Sequence, residues 1–315
     1  MKAVGSVLDL IGETPLVRLV RLEPPGSAQV WAKVEGLNPS GSIKDRVALA
    51  LVREAEGKGL LGPGGVIVES SAGNMGVSLA MVAAARGYKP HLFLPEGVPL
   101  ERRRLAARYG AELHLTPSNT GMTGANVAAN RLLERNPEFV RLDQFASEAT
   151  VKAHREGTGR EILEATQGGV DAFVAGVGSG GTLIGVGQAL RRVNPALLLV
   201  AVEPTTSPLL SEGRAGEHGI LGIGADFVPS ILDRGMISEV AMVSTQEAVD
   251  MALRLAKEAG LMVGVSSGAN VAAALRIAQR LGQGRRVVTV LPDTGERYPH
   301  LAREISLSLQ SVSGR

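Results

Sequence analysis

The chain has 315 residues, 44% of them hydrophobic and 20% charged, which is ample for two domains with full cores. Lys and Arg total 33 against 31 Asp and Glu, a net charge of +2, a balance that argues against a nucleic-acid surface. There are no cysteines, which excludes disulfides, thiolate metal sites and a cysteine nucleophile. Five histidines without H-x-x-x-H spacing lead to an expectation of no metal.

Charges interrupt the N-terminus before a signal-peptide core forms. The longest uncharged run, residues 172–190, contains six glycines and does not read as a membrane span. The expected compartment is therefore the cytoplasm. Aromatic residues make up only 3%, so the core must come from Ala, Val, Leu and Ile, as in parallel strands covered by helices.

In chain order, a short apolar start at 15–19 and a strand at 30–34 lead into a helix beyond residue 44. Strands at 66–69, 91–94 and 112–116 then alternate with helices at 77–86, 99–109 and about 123–135, the signature of a parallel open sheet. Arg102, Arg103 and Arg104 fall on the second of these helices and read as a solvated face. The pattern restarts with a long helix at 150–166, a strand at 171–177, a helix at 183–192 and a strand at 197–203. Residues 213–224 read as a glycine-rich loop. Helices at 245–259 and 270–281, a strand at 286–291 and a last helix from about Tyr298 complete the chain. The expected fold is α/β, with two open, mostly parallel three-layer domains and a ligand cleft between them.

Three stretches carry candidate chemistry. In Pro39-Ser40-Gly41-Ser42-Ile43-Lys44-Asp45-Arg46, Ser42 is the expected N-cap and Asp45 its capping-box partner. Lys44 then sits in the first helical turn, where the helix dipole favours the neutral amine that Schiff-base chemistry needs. A solvated lysine offset by Asp45 is the alternative. Gly176-Val177-Gly178-Ser179-Gly180-Gly181-Thr182 follows a strand and opens a helix, a geometry suited to phosphate. It also matches G-x-G-x-x-G with Glu203 at the spacing of a ribose-binding acid, so an NAD(P)-dependent oxidoreductase competes. Ser179 and Thr182 add hydroxyls better suited to a terminal phosphate monoester. Ser71-Ala72-Gly73-Asn74-Met75-Gly76 is a second loop-to-helix junction, able to hold a carboxylate.

In their joint order these stretches resemble the cysteine synthase branch of the fold-type II pyridoxal-phosphate enzymes, whose fold is like the tryptophan synthase β subunit. Further stretches that carry the resemblance are Ile11-Gly12-Glu13-Thr14-Pro15-Leu16-Val17, Val202-Glu203-Pro204, Gly222-Ile223-Gly224-Ala225, Gly264-Val265-Ser266-Ser267-Gly268 and Pro292-Asp293-Thr294-Gly295-Glu296-Arg297-Tyr298. The resemblance implies a larger cofactor-phosphate domain from 1–40 and 147–315, and a smaller mobile domain from 41–146. It implies that Lys44 binds pyridoxal 5'-phosphate as a Schiff base and acts as general base. Gly178, Ser179, Gly180, Gly181 and Thr182 hold the phosphate, Asn74 contacts the ring hydroxyl and Ser266 the ring nitrogen. Ser71, Ala72, Gly73, Asn74, Met75, Gln144 and Gly222 form the substrate site. A hydroxyl at the ring nitrogen makes a weaker electron sink than a carboxylate and favours β-elimination.

The implied reaction, in cysteine biosynthesis, is β-replacement on an O-activated L-serine, with O-acetyl-L-serine and sulfide giving L-cysteine and acetate. Ala72 and Met75 depart from the family's Thr-Ser-Gly-Asn-Thr-Gly loop, Ser147-Glu148 replaces the usual Asn-Pro, and Asp226 stands where glycine is common. These departures leave open O-phosphoserine as donor, homocysteine or an amine as nucleophile, or a relative that has lost catalysis. The resemblance also implies a homodimer and a serine acetyltransferase partner.

Overall fold

In the computed structural model, residues 3–298 are described; the helix expected from Tyr298 therefore lies outside them. The elements are β1 (Leu16–Arg18), β2 (Gln29–Val34), α1 (Lys44–Gly57), β3 (Val66–Ser70), α2 (Asn74–Arg86), β4 (Lys89–Pro95), α3 (Leu100–Arg108), β5 (Glu112–Thr116), α4 (Gly121–Arg135) and β6 (Val140–Arg141). There follow α5 (Glu148–Ala153), a π-helical turn (His154–Gly159), α6 (Arg160–Thr166), β7 (Ala172–Gly176), α7 (Gly181–Arg191), β8 (Leu198–Pro204), α8 (Leu209–Glu212), β9 (Glu239–Val243), α9 (Thr245–Ala259), α10 (Val265–Leu281) and β10 (Arg286–Leu291).

The strands form two sheets. One is β1-β2-β10-β7-β8-β9 and the other β5-β4-β3-β6. Every pairing is parallel except β1 with β2. The central strands are Val- and Ala-rich and buried on both faces, as parallel strands require. In the six-stranded sheet one face packs Ala269, Val271 and Ala274 of α10, and the other packs Leu183, Ile184 and Val186 of α7. In the four-stranded sheet α1 and α2 cover one face and α4 covers the other.

The sequence misses β6 and β9, both sheet edges, and divides α2 and α10 too late. The long helix expected at 150–166 is interrupted by the π turn. There the chain lies against α7 so closely that a Cβ on Gly185 would meet Val151 O at 2.4 Å and His154 Cβ at 2.8 Å.

The expected capping box of α1 is corrected. Ser42 Oγ accepts from Lys44 N–H at 3.2 Å, but the Asp45 carboxylate turns away to Ser40, accepting from its N–H at 2.7 Å and from its hydroxyl. The arginine face is also corrected. Arg102 and Arg103 are half-buried, and the Arg102 guanidinium lies 5.2 Å from the centre of the Tyr298 ring.

Beneath α1 lies a buried ion cluster. Arg46 grips Glu35 at 2.7 Å and Glu161 at 2.6 Å, and Lys33 reaches Glu161 at 2.6 Å. Burial alone would raise the Glu161 carboxyl from 4.5. Arg46 and Lys33 outweigh it and hold the group at about 2. This contribution to stability is complete above pH 4.5 and is lost as pH falls toward 2. Glu161→Gln, which leaves two buried cations short of a counter-charge, is expected to cost about 3–5 kcal/mol in urea unfolding at pH 7. The difference from the parent should shrink below pH 4.5.

Candidate active site

The starts of four helices converge at the ends of the central strands. Lys44 opens α1, Asn74 opens α2, Gly181 opens α7 and Val265 opens α10. Asp293, just after β10, ties three of these together. Ser42 pairs with it as an antiparallel bridge, Asn74 Nδ2 donates to Oδ2 at 2.7 Å, and Gly264 lies so close that an added Cβ would meet Oδ1 at 2.2 Å. Tyr298 donates to the same carboxylate at 2.6 Å. Asp293 Oδ1 is buried with no hydrogen-bond partner among the described residues.

Among the described residues Lys44 forms no ion pair. Burial lowers its amine from 10.5 to about 8. The alternative of a lysine offset by Asp45 fails, because that carboxylate is held by Ser40. The fourth helix start is linked through His154. Its Nε2 lies 3.2 Å from Thr182 Oγ1 and its Nδ1 lies 3.0 Å from Thr158 Oγ1. Burial, with Arg46 and then Lys44 nearby, holds this imidazole neutral.

The phosphate-type loop has no room for larger residues. A Cβ on Gly178 would meet Gly222 O at 2.4 Å, and one on Gly181 would meet Thr150 Cγ2 at 2.5 Å; Gly180 has φ +82°. α7 begins without a side-chain cap, so its first N–H groups are left for a ligand. Ser179 is buried beside them, with Oγ 3.4 Å from Gly181 N. This cradle of glycine N–H groups and two hydroxyls fits a phosphate monoester. Gly176 N–H donates to Asn270 Oδ1 at 2.8 Å, while Asn270 Nδ2 donates to Val290 O at 2.9 Å.

Glu203 does not serve a ribose. Its carboxylate accepts from Leu210 N–H at 2.7 Å and Ser211 N–H at 3.1 Å, capping α8. That removes the acid on which the dinucleotide alternative rested.

In the 71–76 loop, Ser71 Oγ accepts from Gly76 N–H at 3.0 Å and Gly73 N–H at 3.4 Å. Ala72 and the buried Met75 pack into the core of the four-stranded sheet. Met75 therefore offers a ligand only its backbone N–H, and α2 too begins without a side-chain cap. Asn74 is held at both ends, because its Oδ1 accepts from Arg297 at 2.7 Å. It reaches a ring hydroxyl only by exchanging one of these bonds. Gln144 is buried and receives Thr150 Oγ1 on its carbonyl at 3.1 Å. Gly222, at φ +97°, places its carbonyl over Gly178. Ser266 is buried in the first turn of α10 beside Ser267, whose hydroxyl has no partner among the described residues.

Sequence reasoning missed Asp293, Arg297, Asn270, Thr150 and His154 as parts of the site. Asp293 and Arg297 lie in the 292–298 stretch that carries the family resemblance, which was the available signal for them; Asn270, Thr150 and His154 gave no local signal.

The profile of the pyridoxal-phosphate dependent enzymes matches residues 7–293. The chain belongs to this family. It is a pyridoxal-phosphate dependent enzyme with the fold-type II architecture. It is 45% identical over 298 residues to a cysteine synthase of Staphylococcus aureus (strain Mu50 / ATCC 700699), covering 94% of this chain and 96% of that protein. Its fold matches the crystal structure of an O-ureido-L-serine synthase with a TM-score of 0.91 and 45% identity, over 95% of this chain and 94% of that one. It also matches a cysteine synthase from Entamoeba histolytica with a TM-score of 0.91 and 37% identity, over 94% and 89% of the two chains.

With its amine at about 8, Lys44 is mostly ammonium at neutral pH and mostly neutral above pH 8. The rate at which apoprotein takes up pyridoxal phosphate, followed by stopped-flow absorbance, is expected to rise with pH through about 8. A rate still climbing toward 10.5, the ordinary lysine value, would contradict this.

Proposed function

We propose that the enzyme is a cysteine synthase that converts O-acetyl-L-serine and sulfide to L-cysteine and acetate. The observation that carries this reading is the 45% identity to a cysteine synthase over nearly the whole chain, with Lys44 in no ion pair among the described residues. Pyridoxal phosphate, when bound, supplies the electron sink that acidifies the substrate α-proton.

In this reading Lys44 holds the cofactor and then, as a free amine, takes the α-proton. The N–H groups of residues 178–182, with the Ser179 and Thr182 hydroxyls, hold the phosphate. His154 fixes the direction of the Thr182 hydroxyl. Ser266 meets the ring nitrogen and Asn74 the ring hydroxyl. Ser71, by tying its own loop, keeps the N–H groups of Asn74 and Met75 aimed at the substrate carboxylate, with Gln144 and Gly222 lining the remainder. The 41–146 unit closes on substrate as a body and excludes water.

The acetyl donor is favoured because the loop at 215–233 contains no arginine and Arg234, just beyond it, is held by Leu210 O. A second reading has the same donor with an oxygen or nitrogen nucleophile, supported by the equal 45% identity to an O-ureido-L-serine synthase. A homodimer, a serine acetyltransferase partner and a cytoplasmic location are part of the proposal through the family resemblance.

Purified holoenzyme given O-acetyl-L-serine is expected to form L-cysteine with sulfide faster than it forms O-ureido-L-serine with hydroxyurea, and to turn over O-phospho-L-serine poorly. Mass spectrometry of the products decides. Turnover only with hydroxyurea would replace the first reading by the second.

A further inference from the structure

His91 on β4 and Glu112 and His114 on β5 form a group that the chemistry above does not use. The two strands are parallel, with His91 opposite Glu112 and Phe93 opposite His114. Residues two apart on a strand share a face, so all three project to the side where Phe93 packs under Ala125 and Ala129 of α4. The helix that Lys44 opens packs on the other side of this sheet.

The donor atoms are already close. His91 Nδ1 lies 3.0 Å from His114 Nε2. Glu112 Oε1 lies 3.2 Å from His114 Nε2, and Oε2 lies 3.7 Å from His91 Nε2. One ligand atom from each residue falls within 4.8 Å of the other two. Bonds of about 2.0–2.2 Å at tetrahedral angles place ligand atoms about 3.3–3.5 Å apart, so small side-chain rotations suffice. The rings are also held in place. His114 stacks on Phe93 at 4.4 Å between centroids, and His91 lies 5.9 Å from Phe139.

We propose that His91, Glu112 and His114 bind one divalent transition-metal ion of the zinc, nickel or copper class. Two imidazoles and a carboxylate suit these borderline ions and not magnesium or calcium, which take oxygen ligands. The Glu112 side chain is 62% exposed, so solvent completes the coordination. On binding, the proton between the two facing ring nitrogens shifts to the outer nitrogen of its own ring, so that each neutral imidazole turns one lone pair to the ion. β5 is an edge strand, bonded only to β4, and the ion ties it to its neighbour. The role is structural, and cysteine formation does not pass through it.

The test is calorimetric titration of holoenzyme with zinc chloride, paired with electron paramagnetic resonance of the copper(II) form. The wild type is expected to take up one zinc per chain, and its copper spectrum to show nitrogen hyperfine coupling. Glu112→Gln, at an exposed position where the fold is safe, is expected to weaken zinc binding by roughly 10–100-fold and leave turnover unchanged. The His91→Asn/His114→Asn pair should lose both zinc binding and the nitrogen coupling. Absence of zinc binding by the wild type at micromolar concentrations, or binding unaltered in both variants, would overturn the proposal.

Discussion

The constraint on which the site depends is the burial of one amine that forms no ion pair among the described residues. Lys44 begins a helix at a site where burial brings its pKa down to about 8, and one bare carboxylate beside it would undo that. The carboxylates of this region are engaged by other groups. Asp45 is held by Ser40, Glu35 and Glu161 by Arg46, and Asp293 by Tyr298 and Asn74. The ion cluster under α1 thus does two things at once. It anchors the lysine helix to the β2 and α6 side of the molecule, and it leaves Glu35 and Glu161 paired with Arg46 and Lys33.

Close approach is the second condition. The phosphate-type loop, the 222 turn and the 150–159 segment meet with backbone against backbone, which the positions of Gly178 and Gly181 require. A chain so poor in aromatics packs by such short distances between small residues, and dispersion gained at close contact replaces the area that larger side chains would bury. Rigidity follows for the six-stranded sheet. The 71–76 loop is held differently, by Ser71 within itself and by Asn74 on Asp293 and Arg297. These few exchangeable bonds are where substrate can act on the structure.

What was legible in the sequence followed from strong local patterns. The Val-rich central strands and the glycine loops stand out because burial and close approach restrict residue choice there. β6 has only two residues, too few to show a period, and β9 is a half-buried edge strand whose apolar run at 240–243 lies between a loop and a helix and is short enough to pass unread. Capping of α1 was misjudged because Ser40, two residues earlier, competes for the Asp45 carboxylate. Met75 read as a departure at the substrate loop, yet its side chain belongs to the core, a direction that helix phase fixes only once α2 is known to begin at residue 74. The Asn74–Asp293 contact spans 219 positions. The His91–His114 pair is separated by 23 and depends on sheet register. Spacing rules for ligands along one helix cannot reveal either.

The proposed activity requires Lys44 to carry the cofactor, and peptide mapping after borohydride reduction of the holoenzyme tests this most directly. The prediction is a pyridoxyl-phosphate adduct on the peptide containing Lys44, loss of the visible band on reduction, and neither adduct nor band in Lys44→Ala. An adduct on another lysine, or a Lys44→Ala protein that retains the reducible band and full turnover, would contradict it.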